Sequence, residues 1–123
     1  MRVISKNTKI DTLFDNGSQA NLISEDLVKK LNLETIPHPK PYPLGCICKD
    51  VNLHVSKKCM LRFAITTHLI DTVELDVVLL DVTSVVLGSP YLYDRKAIFH
   101  HHEKKYHLFK DGKEYIVRAH ARN

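Results

Sequence analysis

The sequence predicts a mostly β fold, a closed or sandwiched sheet with one or two short helices. Three observations lead there. Short runs of β-branched and apolar residues recur between turn signals along the chain. Only two segments carry helix-start signals. The 123 residues, 44% hydrophobic and 26% charged, suit a single domain over 1–123 with a real core.

Strands are expected at Thr8–Phe14 (TKIDTLF) and Ala20–Ile23 (ANLI), on either side of a short polar loop. Val51–Ser56 (VNLHVS) alternates apolar and polar residues with period two. Cys59–Ile65 (CMLRFAI), Thr72–Leu80 (TVELDVVLL) and Ser84–Gly88 (SVVLG) follow. KYHLFK and EYIVRA flank Asp111-Gly112, a good hairpin turn. Ser24 can cap a helix whose positive end suits Glu25 and Asp26, and Leu27, Val28 and Leu31 give it an apolar face. PYLYDR, after Gly88, suggests a second short helix with Pro90 in its first turn. The proline-rich PHPKPYP, Pro37–Pro43, is expected as a stiff, extended connection.

Composition narrows the function classes. No stretch approaches the roughly 18 apolar residues of a membrane helix, and Lys6, Lys9 and Asp11 interrupt any leader-like core at the N-terminus. Three cysteines, Cys46, Cys48 and Cys59, cannot all pair within one chain. Cys46 and Cys48 on a strand would lie about 6.6 Å apart, an uncomfortable bridge. A reduced, intracellular protein is expected, so the Asn16-Gly17-Ser18 glycosylation pattern goes unused. The net charge is +4, but the basic residues are scattered as pairs, and nine Phe and Tyr with no Trp make a poor base-stacking platform. No direct nucleic-acid partner and no membrane are expected.

The stretch TLFDNGSQANLIS, Thr12–Ser24, raises the functional question. Asn16-Gly17 between apolar runs is a strong turn signal, and Asp15 is a common turn residue. The alternative is a carboxylate held for chemistry: Gly17 permits close approach of another backbone or a substrate, and Ser18 can donate to the carboxylate. One carboxylate alone is a poor hydrolase. Two at close range share a proton and act as acid and base together. Only one Asp-x-Gly of this kind occurs, so a second would come from another copy of the chain across a two-fold axis.

Three blocks together carry a resemblance. LFDNGSQANLIS is similar to the active-site loop and following strand of the retropepsin-like aspartic proteases. LVKKLNLETIPHPKPYPL and DVVLLDVTSVVLGSPYLYDRKAIFH are similar to later segments in the proteases of plant gypsy-type long-terminal-repeat retrotransposons. Order and spacing fit over roughly residues 8 to 109. The resemblance implies a retropepsin-like closed β barrel, homodimeric, with the site on the two-fold axis and no cofactor. It implies Asp15 as the catalytic carboxylate, with Asn16, Gly17 and Ser18 completing its loop and Val86, Leu87 and Gly88 packed beneath. It implies an aspartic endopeptidase that processes a retrotransposon polyprotein in the cytoplasm, within a retrotransposon particle. The substrate implied is an extended polypeptide with apolar residues near the cleaved bond.

Two departures stand out. Asn16 occupies the place of a Thr or Ser whose hydroxyl braces the two loops across the axis. The candidate covering flap, with Ile47, Cys48, Lys49, Asp50 and Val51 about its tip, lacks glycines there. Asn16 favours an alternative, a weak or inactive protease-like domain kept for dimerisation or peptide binding. By family analogy, Arg2–Ser5 and Val117–Asn123 are the places for strand pairing between chains. His100 and His102 on one strand face, and Cys46, Cys48 and His54 near the flap, form loose clusters without the spacing of a tetrahedral site, so no metal is expected. Asp94-Arg95 is expected as a structural pair.

Overall fold

Lys6 and Asn7 both adopt positive φ, 49° and 61°, and so turn the chain tightly enough to pair β1 (Arg2–Ser5) with β2 (Thr8–Phe14) from Ser5↔Thr8 to Arg2↔Asp11. The structure, a computed structural model, describes residues 2–44, 53–80 and 83–118. All of the candidate flap residues, together with Cys46, lie outside the described residues, as do 119–123. The remaining elements are β3 (Leu22–Ser24), α1 (Glu25–Lys30), β4 (Thr35–Leu44), β5 (Leu53–Ala64), β6 (Ile70–Val78), β7 (Val85–Leu87), α2 (Ser89–Asp94), β8 (Ile98–His100), β9 (Lys105–Lys110) and β10 (Lys113–Arg118).

The main sheet runs β1-β2-β7-β3-β6-β5-β4, and a further pairing, Ile4↔Ala64, joins β1 to β5. Six of the seven strands therefore close into a barrel, and β4 lies outside it on the same edge of β5. Closure removes the free edges an open sheet would present. The barrel is filled by Val3, Ile10, Ile23, Leu61, Phe63, Leu75 and Leu87, each at most 2% exposed. A second sheet, β10-β9-β8, adds Leu108 and Val117 to the same core.

Several local expectations hold. β2 spans Thr8–Phe14. The Ser24 hydroxyl accepts from the Leu27 N–H at 3.1 Å, and Leu27 and Val28 are buried. Pro90 sits in the first turn of α2. Asp111 and Gly112 have φ of 52° and 78°, the mirror-image turn that suits a two-residue hairpin.

Others are corrected. Val51–Ser56 and Cys59–Ile65 belong to one twelve-residue strand, β5, because its first half pairs with β4 and its second with β6. Lys57 faces solvent and Lys58 pairs with Glu74, so neither breaks it. PHPKPYP is no mere connection but most of β4. Its prolines are tolerated because β4 has a partner on one side only, and the register shifts between Pro37 and Tyr42. Tyr42 and His38 tie this strand to Asp76 on β6. Arg2–Ser5, expected between chains, is already paired with β2 and β5 of its own chain. β8 ends at His100, so His102 stands in the following turn and does not share a strand face with it.

Arg95 does not pair with its neighbour Asp94. Adjacent helical residues do not face each other, and Arg95 turns instead to Asp71 on β6. Asp71 is 3% exposed and alternates in phase with Val73 and Leu75, so its carboxylate points into the core. It accepts from Arg95 Nε (2.8 Å) and a terminal guanidinium nitrogen (3.1 Å), and from the Tyr91 hydroxyl (2.8 Å), with Lys110 Nζ at 3.4 Å. Burial alone would raise the Asp71 pKa. The bonds from Arg95 and Tyr91 and the charges of Arg95 and Lys110 outweigh it and hold the group below the usual carboxylate range. A lowered folded-state pKa means this stabilisation is complete above the unfolded value, about 4, and is lost as pH falls through the folded one. Asp71→Asn leaves Arg95 without its counter-charge and should cost about 3–5 kcal/mol. Denaturant unfolding checks this, and the mutant should also lose part of the wild-type fall in stability below about pH 4.

Candidate active site

The loop at Asp15 is built from both sides of β7. β2 runs parallel to β7 (Thr12↔Val85, Phe14↔Leu87), and β3 runs antiparallel to it (Leu22↔Val86, Ile23↔Val85). The short strand Val85–Leu87 thus sits between the strand that enters the loop and the strand that leaves it. Asn16-Gly17 is therefore not a hairpin turn, since β2 and β3 never pair. Neither residue adopts positive φ.

Asp15 is the first residue beyond β2. Its N–H donates to the Leu87 carbonyl at 3.1 Å, and its carbonyl accepts from the Ser18 N–H at 3.1 Å. Its side chain folds over the turn, and Oδ1 accepts from the Gly17 N–H at 2.9 Å. A Cβ on Gly17 would lie 3.2 Å from that oxygen, so glycine keeps the carboxylate uncrowded. Among the described residues nothing donates to Oδ2, which is left as an acceptor. Asp15 is half-buried, and Asn16 and Gly17 are exposed.

Ser18 does not donate to the Asp15 carboxylate. Its hydroxyl donates to the Ala20 carbonyl at 2.7 Å, and its own carbonyl accepts from the Ser89 N–H at 2.8 Å. Gly88 lies against the same turn. Its N–H donates to Asn21 Oδ1 at 2.9 Å. A Cβ here would stand 2.4 Å from the Ala20 oxygen and 2.7 Å from that of Ser18. Val86, Leu87 and Gly88 thus lie beside and beneath the loop that Asn16, Gly17 and Ser18 form.

Sequence reasoning missed two neighbours. Asn21 joins the loop to Gly88 through its side chain and to β6 through its carbonyl, which accepts from Asp76 N–H at 2.9 Å. A lone polar residue between Ala20 and Leu22 was the available signal. Tyr106, on β9, packs on Phe14 with ring centroids 4.7 Å apart. Burial, then the charge of Asp15, raises its phenol pKa. Nothing in the sequence linked positions so far apart.

Other chemistry is weaker here. Cys59 is 2% exposed, and burial with the charge of Asp76 pushes its thiol up to about 11, so it is a neutral packing group. The His100 and His107 rings lie 4.0 Å apart, and His107 meets Glu114 at 3.2 Å. No three His, Cys, Asp or Glu side chains among the described residues converge as metal ligands. No helix among them is long and apolar enough to cross a membrane. A cleft of about 400 Å³ opens behind the loop between Gln19, Asp76 and Tyr91, but Asp15 is not on its wall.

Comparison with known proteins shows the family and the fold. The family model of the PEG10/RTL1 protease domain matches residues 11–112. The chain belongs to this family. The PEG10/RTL1 protease domains are retropepsin-like, and the structure agrees. The crystal structure of the retroviral protease-like domain of Ddi1 from Leishmania major superimposes with a TM-score of 0.67, covering 95% of this chain and 89% of that one at 8% identity. At that identity the likeness is one of fold: mostly β, a closed barrel, a retroviral protease-like architecture. No curated protein sequence matches significantly.

Gly88→Ala tests how the loop is held. The added methyl meets backbone oxygens, which cannot rotate away. The substitution should cost about 1–3 kcal/mol or more, read by thermal unfolding. It should also raise amide exchange at Ser18 and Ser89 ahead of the barrel strands.

Proposed function

We propose that this retropepsin-like domain is an aspartic endopeptidase that works as a homodimer, with one Asp15 from each copy at a shared site. The observation that carries this is the presentation of Asp15. Its carboxylate stands at a loop anchored from below by Leu87 and Gly88, with one oxygen held by Gly17 and the other left as an acceptor. Among the described residues no second acid stands beside this half-exposed carboxylate, which is what half of an acid–base pair would present.

In the reaction, the ionised Asp15 of one copy takes a proton from water as its oxygen attacks the scissile carbonyl. The protonated Asp15 of the other copy donates to the carbonyl oxygen. The proton shared between two close carboxylates is this class of enzyme's known chemistry. The sequence resemblance supports a substrate of extended polypeptide with apolar residues near the cleaved bond. It also supports processing of the polyprotein of a plant gypsy-type retrotransposon, in the cytoplasm within the element's particle. Arg2–Ser5 is already paired within its own chain, so the dimer contacts are expected around the loop and at Val117–Asn123, of which Val117 and Arg118 lie among the described residues.

A second reading is an inactive dimerisation or peptide-binding module. Asn16 favours it, because the amide replaces the expected bracing hydroxyl. Asn16→Thr tests that replacement: a tighter dimer or faster turnover marks the missing hydroxyl as a defect, and a loss of both marks the amide as an adapted solution.

Asp15→Asn keeps the size of the side chain and an acceptor for Gly17 but removes the titrating group. Cleavage of a flanking polyprotein peptide should fall by about two orders of magnitude or more, with unfolding and sedimentation unchanged. Specific activity of the native chain should fall on dilution. It should also fall as pH turns alkaline, where a carboxylate pair loses its shared proton. Activity that survives Asp15→Asn, or is constant across dilution, would rule the pair out.

A further inference from the structure

Asn16 and Gly17 have a chemistry that peptide hydrolysis does not use. Both are exposed at the loop tip. Among the described residues, none of the hydrogen bonds that shape the loop uses the Asn16 side chain. Gly17 has no Cβ to shield its backbone nitrogen. That nitrogen follows the Asn16 carbonyl directly, within reach of the Asn16 side-chain amide through a five-membered ring. Its N–H is also aimed at a carboxylate, donating to Asp15 Oδ1 at 2.9 Å. Nucleophile, electrophile and base are consecutive residues held in one turn.

We propose that Asn16 is a self-modification site, at which Asp15 acts as the base for attack of the Gly17 nitrogen on the Asn16 side chain. The Gly17 nitrogen forms a bond to Cγ of Asn16 while its proton passes to the Asp15 carboxylate. The C–N bond of the side-chain amide then breaks, and its nitrogen leaves as ammonia with that proton. The product is a succinimide joining residues 16 and 17. Water, the single co-reactant, opens the ring at one carbonyl or the other and leaves aspartate or isoaspartate at position 16. No electrons are exchanged with any other species.

Either product sets a second carboxylate beside Asp15, and a neighbouring negative charge favours the protonated acid. Isoaspartate also routes the main chain through one extra methylene, between the Asp15 carbonyl and the N–H groups of Gly17 and Ser18 that now fold back on Asp15. The modification therefore changes the loop as the protein ages. It requires neither a dimer nor peptidase activity, so it stands or falls apart from the proposed function.

The test incubates the purified chain near neutral pH, folded and in denaturant, and follows position 16 by peptide mapping with mass spectrometry. Conversion should run at least several-fold faster in the folded chain, where Asp15 is held against Gly17, within the roughly hundredfold or more a placed base contributes. Asp15→Asn retains an acceptor for the Gly17 N–H, so the turn persists while the base is lost; the folded-state advantage at position 16 should disappear. Asn16→Gln, whose ring would be larger, should show no conversion there. Folded chain that converts no faster than denatured chain overturns the proposal. So does a folded rate unchanged by Asp15→Asn, which would make the hydrogen bond to Gly17 a shield rather than an activation.

Discussion

The approach of Gly88 to the carbonyls of Ser18 and Ala20 is the constraint on which the rest of the site depends. A side chain at position 88 would stand 2.4 Å from the Ala20 oxygen, inside any acceptable contact. With hydrogen there instead, the start of α2 closes onto the loop. The Ser89 N–H then reaches the Ser18 carbonyl, and the Gly88 N–H reaches the Asn21 amide. These bonds satisfy backbone groups that a half-buried loop would otherwise leave unpaired. The loop owes its shape to a neighbour some seventy positions away more than to its own turn residues.

β7 extends the same logic into the sheet. It is three residues long, yet it pairs with β2 on one side and β3 on the other. Its strand neighbours run in opposite senses, parallel and antiparallel, and this makes the loop a crossing between two separate strands rather than a hairpin. All three residues of β7 are buried, Leu87 fully. A buried strand thus lies beneath a half-exposed carboxylate, and the loop that carries Asp15 is tied to it through the Leu87 carbonyl.

The Asp71 cluster does for the outer sheet what Gly88 does for the loop. Arg95 lies just past α2, Lys110 ends β9, and Asp71 lies on β6, so one carboxylate joins three parts of the chain. The Phe109 N–H to Arg95 carbonyl bond at 2.7 Å fastens the same junction. Charge buried in this way is costly to desolvate, and it is tolerated because every oxygen of Asp71 has a donor. Since α2 begins at the residue that touches the Asp15 loop, the cluster also fixes the far end of the helix that holds the loop down.

The sequence by itself determined the features that depend on neighbours along the chain. The Ser24 cap, Pro90 in the first turn of α2 and the Asp111-Gly112 hairpin are set by side-chain and φ preferences within a few residues, and so were legible. The alternation of β6 also lies within a short window and sets Asp71 in phase with Val73 and Leu75, but that Arg95 turns to Asp71 rather than to Asp94 depends on the packing of α2 against β6. The tertiary structure alone decided which strands became neighbours. It made Pro37–Pro43 part of an edge strand, fused two expected strands into β5, and folded Arg2–Ser5 back onto its own chain. It also brought Asn21 to Gly88 and Tyr106 to Phe14. Such choices turn on which edges remain unpaired once the barrel closes, and on which polar groups must then find partners, and both are properties of the assembled molecule that no short window of residues contains.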